Sequence, residues 1–237
     1  MRLSDFQHDI VVSMKVLSLS DQVVEFIYSP SVTERFASVD LVLGCGDLPY
    51  YYLEYLVDVL GKPVFFVRGN HAPLVEYSKD GDARVAPWGA LDLHRRVVNF
   101  QGLLLAGFEG SLRYRKGPFM YTQADMWSLV FGMLPRLLAN WVRYGRALDV
   151  LVTHAPPWGV QDEPDLAHRG FKAFRWLLRV FRPRYHFHGH IHVYARQTPV
   201  LTRFHHTLVI NTYGYRETEL HIPHLARLAK TQRGMTG

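Results

Sequence analysis

Apolar runs of strand length recur along this chain, and five of them end in a cluster of Asp, Asn, His and Gly. Ile10–Leu19 runs into Ser20-Asp21, Val39–Gly44 into Gly46-Asp47, and Pro63–Val67 into Gly69-Asn70-His71. Asp149–Thr153 leads to His154, and Tyr185–His188 to Gly189-His190-Ile191-His192. Helical spacing of apolar residues separates some of these runs, over Tyr50–Leu60 and Gly170–Phe181. Strands alternating with helices predict an α/β fold with a parallel-containing sheet. In such sheets the loops at the carboxyl ends of the strands converge on one crevice, where ligands bind.

The middle of the chain reads differently. Leu91–Phe100 and Leu103–Phe108 flank the turn signal Gln101-Gly102 and predict a hairpin. Ser31, with Glu34 three residues on, predicts a capping box at a short helix. Thr122–Leu148 is expected to be helical, an insertion or cap on a single domain spanning residues 1–237, kinked or split at Pro135. Trp127, Val130, Leu134, Leu137 and Trp141 recur at spacings of three and four. That apolar face is expected in the core or against a second copy of the chain, as a homo-oligomer. Thr207–Thr212 closes the sheet, and the basic tail Leu225–Gly237 is expected to fray.

With 48% hydrophobic and 20% charged residues in 237, the composition excludes disordered and fibrous classes. Cys45 is the only cysteine, which excludes an internal disulfide scaffold. No run approaches the ~18 apolar residues of a membrane span, and the opening MRLSDFQHDI lacks the apolar stretch of a signal peptide. The expectation is a cytoplasmic protein with no membrane contact. A net charge of +6 favours anionic partners, phosphate esters foremost and nucleic acid more weakly.

Asp21, Asp47, Asn70, His154, His190 and His192 form a mixed oxygen and nitrogen set without thiolate. Such donors suit divalent ions, Mn²⁺ foremost with Fe or Zn²⁺ also compatible. In order along the chain, Asp21, Gly46-Asp47, Gly69-Asn70-His71, Thr153-His154 and Gly189-His190-Ile191-His192 resemble the calcineurin-like metallophosphoesterases, whose pattern runs D-x-H, GD, GNH, H and GHxH. Thr153–Gly159 (THAPPWG) with Gly189–His192 looks most like the small prokaryotic branch. The resemblance implies a four-layer fold, two mixed β-sheets flanked by helices, and a metal-dependent hydrolase of phosphodiesters or small nucleotide-type phosphate esters. It implies that Asp47 bridges two ions, that Asp21 and His192 complete the first shell, and that Asn70, His154 and His190 complete the second. It further implies that His71 hydrogen-bonds or protonates the leaving oxygen while a metal-bridging hydroxide attacks phosphorus.

One departure matters: the first motif reads Asp21-Gln22-Val23, and valine cannot ligate. The first ion's site is therefore expected to be weakened, with Gln22 or Glu25 as poor substitutes, and the second complete. This motivates an alternative, a single-metal module that binds phosphate or nucleotide with little turnover. Ala72 also stands where many relatives carry an acid that would orient His71. His168, Arg113 and Arg115 are candidate substrate contacts, with Tyr114 available to stack a base. His186 and His188 are expected to be sheet residues satisfied by backbone or water, His205 and His206 surface residues, and Cys45 a small buried residue.

Overall fold

The computed structural model describes residues 13–78, 81–194 and 198–223; the tail 225–237 lies outside them. In chain order the elements are β1 (Ser13–Ser20), α1 (Val32–Arg35), β2 (Leu41–Cys45), α2 (Tyr50–Leu60), β3 (Val64–Val67), β4 (Glu76–Tyr77) and β5 (Ala83–Arg84). Then come β6 (Ala90–Asp92), β7 (Val97–Phe100), β8 (Leu103–Phe108), β9 (Ser111–Leu112), β10 (Met120–Tyr121) and α3 (Gln123–Tyr144). The chain continues through β11 (Val150–Thr153), α4 (Lys172–Phe181), β12 (Tyr185–His188), β13 (Leu201–Phe204), β14 (Thr207–Asn211) and β15 (Gly214–His221).

Two mixed sheets form, ordered β15-β1-β2-β3-β6 and β13-β14-β12-β11-β8-β7. Side-chain alternation assigns their faces. Val16, Leu41, Leu43, Phe65 and Val67 meet Leu103, Leu105, Val150, Val152 and Phe187 between the sheets. The opposite parity of the first sheet, Leu17, Val42, Val64 and Phe66, packs under α1 and α2. In the second sheet, Ala106, Phe108 and Leu151 pack under α3 and α4. Strands buried on both faces read as nearly continuous apolar runs, which is why they stand out in the sequence. The order helix, sheet, sheet, helix is the four-layer α/β arrangement expected from the resemblance.

Several local expectations need correction. Leu91–Phe100 is not one arm of a hairpin. Ala90–Asp92 pairs with β3 in the first sheet, the chain crosses over at 93–96, and only Val97–Phe100 pairs antiparallel with β8. The Gln101-Gly102 turn itself is present, with φ of 50° and 89°, the two positive values a tight hairpin turn requires. Ser31 forms no capping box; its hydroxyl donates to the Phe26 carbonyl instead, and its backbone is already helical. Pro135 does not split its helix: α3 is continuous over 22 residues, started by a Thr122–Asp125 capping box and ended at Gly145. The residues of α3 that are fully buried are Met126, Val130, Met133 and Leu137, so its inward face is rotated from the predicted one and Trp141 is exposed. Among the described residues no helix is long and apolar enough to cross a membrane.

Candidate metal centre

The strands β1, β2 and β3 run parallel, as do β11 and β12, so their carboxyl ends lie on one edge of each sheet. The first sheet delivers Asp21, Asp47, Asn70 and His71 there, and the second delivers His154, His190 and His192. Three of these residues bend sharply as they leave the strand. Asp21, Asp47 and His190 have φ of 65°, 52° and 68°, a left-handed conformation that costs a residue with a side chain about 1–3 kcal/mol. Each bend turns a polar side chain back over the strand ends. Gly69 shows how tightly the turns interlock: a Cβ there would lie 2.1 Å from Asp47 Oδ1. That approach lets the His71 backbone N–H donate to the same oxygen at 2.8 Å.

Asp21, Asp47 and His154 converge, with one donor atom from each within 4.8 Å of the others, a set able to hold a metal ion. His154 Nε2 lies 3.2 Å from Asp47 Oδ2 and 3.0 Å from Asn70 Oδ1. Its Nδ1 faces the Cys45 carbonyl at 2.9 Å, so Nδ1 carries a proton and Nε2 is the nitrogen turned to the centre. His190 is arranged in the same way: Nε2 donates to the Ala167 carbonyl at 2.7 Å, and the ring sits 4.8 Å from that of His154. A neutral His190 then has its lone pair on Nδ1. The Asp21 carboxylate accepts the His190 backbone N–H at 3.0 Å through Oδ2, while Oδ1 stands 3.8 Å from His192 Nε2.

The electrostatics are those of a centre built around positive charge. Burial pushes the Asp21 carboxyl up, only partly offset by His154. Burial also opposes charge on Asp47, but His154 and the His71 amide outweigh it and hold the carboxyl low. His154 is fully buried, which disfavours its charge, yet Asp47 and Asp21 hold it above the usual imidazole range. His190 is pushed down to about 3 by burial and by His154, and stays neutral. Two carboxylates that draw a proton onto buried His154, beside a neutral His190, fit a divalent cation, which would take that proton's place.

The family model for calcineurin-like phosphoesterases matches residues 14–194. The chain belongs to that family. No curated protein sequence matches it. One crystal structure aligns at 15% identity with a TM-score of 0.58, covering 89% of this chain and 99% of its own. The protein TT1561 of Thermus thermophilus aligns at 12% identity with a TM-score of 0.55, covering 89% of this chain and 99% of its own. Vacuolar protein sorting 29 from Cryptosporidium parvum aligns at 13% identity with a TM-score of 0.41, over 84% of this chain and 74% of its own. At these identities the first two likenesses concern the fold alone.

Within this calcineurin-like site, the departure at Val23 has a structural context. Val23 is half-buried and packs with the core under α1 and α2. Gln22 turns to the Tyr213 hydroxyl, to which its amide donates, and Glu25 is exposed. Tyrosines crowd this corner instead: the Tyr194 hydroxyl meets His192 Nδ1 at 2.6 Å, and the Tyr213 ring lies 4.8 Å from that of His192. Tyr114 accepts a long 3.5 Å contact from Asn70 Nδ2. Sequence reasoning singles out neither Tyr194 nor Tyr213, and it expects Tyr114 against a base, not beside Asn70. Tyr213 does follow the carboxyl end of β14, so the strand-end rule that finds the other residues also points to it. The Cys45 and Ala167 carbonyls leave no side-chain signal at all.

Other predicted residues sit apart from the convergent set. His71 is exposed and fixed through its backbone. His168 lies over His190 at 5.3 Å, its Nδ1 3.0 Å from each Asp165 oxygen. With Glu163 these residues make a second cluster of ligand type, but an exposed one whose atoms engage each other. Arg113 donates to the Met120 carbonyl and pairs with Asp125, and Arg115 rests over the Tyr114 ring. His186 and His188 point to the helical side of the second sheet. Their partners there are side chains as well as backbone. His186 Nε2 meets Thr153 Oγ1 at 2.7 Å, and His188 is bracketed by the Gly189 carbonyl and the Gln161 amide.

Proposed function

We propose that this protein hydrolyses phosphodiesters or small nucleotide-type phosphate esters at a two-ion centre. The observation that carries the reading is the convergence of Asp21, Asp47 and His154 from both sheets onto one point. In this reading Asp47 would contribute to both ions, Asp21 and His192 would hold the first, and Asn70, His154 and His190 would hold the second. The donor set suits Mn²⁺ foremost, with Fe or Zn²⁺ also compatible. Bound there, two divalent ions supply an activated water and neutralise the charge that develops on the phosphoryl oxygens.

The protein's own part is orientation and proton handling. The Cys45 and Ala167 carbonyls each hold one ring nitrogen of His154 and His190 as a donor, so the other nitrogen is the one left for an ion. Asp47 is held by the His71 amide, which couples its position to the turn bearing the His71 imidazole. That imidazole, exposed beside the centre, hydrogen-bonds or protonates the leaving oxygen. The test strips the protein with a chelator and restores Mn²⁺, Fe²⁺ or Zn²⁺ singly. Hydrolysis of bis(p-nitrophenyl) phosphate and p-nitrophenyl phosphate is then followed. Metal-dependent turnover with the diester preferred is the expected result, and turnover that survives chelation overturns the reading.

A second reading has one observation in its favour: Gln22 is committed to Tyr213, so nothing beside Val23 replaces the missing imidazole. In that case the chain holds one ion and binds phosphate or nucleotide without efficient turnover. A single metal equivalent per chain with no hydrolysis distinguishes it.

A further inference from the structure

A cavity of about 860 Å³ shares the loop that touches His190, and none of the convergent carboxylates and imidazoles lines it. One of its walls is the loop 157–170, an Ω-type loop whose neck is closed. Trp158 N–H donates to the Phe171 carbonyl and Phe171 N–H to that of Pro156, at 3.1 and 3.0 Å. Asp162 accepts the amides of Gly159 and Gly170, at 2.9 and 3.0 Å, tying both ends together. A Cβ on Gly170 would lie 2.5 Å from the Pro157 carbonyl carbon, so the neck closes only with glycine there.

This loop faces two ways. The Ala167 carbonyl and His168 touch His190, while Trp158, Leu166 and Arg169 line the cavity. One backbone therefore sets the distance from cavity to metal centre. The far side supplies Arg113, from the segment whose Tyr114 reaches Asn70. Lys172, at the start of α4, has its ammonium 5.4 Å from the centre of the Trp158 ring.

The lining has a definite chemistry. Trp158 is 41% exposed although its backbone is pinned, and Leu166 is 51% exposed. Asp162 is consumed by the loop's own amides, and Glu163 faces His168. What remains for a ligand is the exposed part of the Trp158 ring, which Lys172 and Arg175 each approach at 5.4 Å, with Leu166 beside it. Arg113 is held by the Met120 carbonyl and Asp125, and Arg169 by the Pro164 carbonyl. Lys172 is therefore the lining cation whose side chain shows no hydrogen bond or ion pair among the described residues. A flat aromatic body attached to anionic oxygen matches that pattern, since stacking uses the exposed π-face and the Lys172 ammonium meets the charge. We propose that this cavity takes the nucleoside portion of a nucleotide phosphodiester, with the base against Trp158 and the phosphate reaching the metal centre past His168. The assignment rests on the hydrolytic reading of the centre, and makes the substrate a nucleotide rather than a small alkyl or aryl ester.

Two assays separate the cavity from the chemistry. In the first, metal-loaded wild type, Trp158→Ala and Trp158→Phe are compared on thymidine 5′-(p-nitrophenyl phosphate) and on bis(p-nitrophenyl) phosphate. The ratio of the two kcat/KM values is expected to favour the nucleotide in the wild type. It should fall about tenfold or more in Trp158→Ala, chiefly through KM, and be largely restored by Phe, since one base–aromatic stack contributes on this scale. In the second, tryptophan fluorescence of the chelated protein is titrated with thymidine 5′-phosphate, which needs no turnover. Quenching that disappears in Trp158→Ala supports the cavity even if no ester is hydrolysed, in which case the hydrolytic reading fails instead. Equal ratios in all three proteins, or no quenching in the wild type, overturn the proposal.

Discussion

Gly69→Ala is a single-methyl test of how the centre is assembled. The added Cβ would lie 2.1 Å from Asp47 Oδ1, 2.4 Å from its Cγ and 2.6 Å from its backbone nitrogen, whereas ordinary contact begins near 3.4 Å. The carboxylate or the turn must therefore move by roughly 1.3 Å (3.4 less 2.1). Rotating the Asp47 carboxylate away breaks the bond from the His71 amide and its approach to His154 Nε2. A displacement of this size in a reacting constellation lowers turnover about 100-fold or more. The fold should survive, because the clash lies at a strand end and not in either core. The assay measures kcat/KM with added Mn²⁺, metal content after dialysis, and thermal unfolding. Gly132→Ala is the matched control: its Cβ meets nothing within 4 Å, and as an exposed helix position it should gain about 0.5–1 kcal/mol of stability. Gly69→Ala with wild-type turnover and metal content would refute the seating of Asp47 described above.

Two further outcomes follow from the same structure. Val23→His returns an imidazole to the first ion's side and is expected to raise bound metal toward two equivalents, with affinity at the weaker site at least about tenfold tighter, measured by elemental analysis after dialysis against graded Mn²⁺. Burial holds His188 down to about 4 in the folded chain, against 6.5 ordinarily. Its stabilising contribution is thus present above pH 6.5 and is lost as pH falls toward 4. Between pH 7 and 5 the chelated protein should lose about 2 kcal/mol from this residue alone. Urea unfolding at the two pH values should show that loss in the wild type and a smaller one in His188→Gln.

The parallel strands were legible because strands buried on both faces leave long apolar runs, and the two-sheet arrangement only through the family resemblance carried by Asp21, Asp47, Asn70, His154 and His190 at their carboxyl ends. Tyr50–Leu60 was legible to the residue, since its apolar periodicity ends at Gly61 in a left-handed C-cap. The division of Leu91–Phe100 between two sheets was not, because β-rich composition says where a chain is extended and not with which strand it pairs. Pro135 misleads for another reason: loss of one donor breaks a helix in isolation, but the face of α3 carrying Met126, Val130, Met133 and Leu137 is held in the core on both sides of it. The capping box failed at Ser31 because Phe26, five residues back, offers a carbonyl to the same hydroxyl. Within the site, the backbone carbonyls of Cys45 and Ala167 have no sequence signature, although they decide which nitrogen each histidine presents.

The central claim, that Asp47 joins two ions in a hydrolytic centre, is tested most directly by Asp47→Asn. Turnover of bis(p-nitrophenyl) phosphate and metal content are measured on the same samples of wild type and variant, with Mn²⁺ supplied. The amide keeps the shape of the carboxylate and removes its charge. Loss of turnover by about 100-fold or more together with loss of bound metal is the predicted result. A variant that hydrolyses the diester at the wild-type rate contradicts the account.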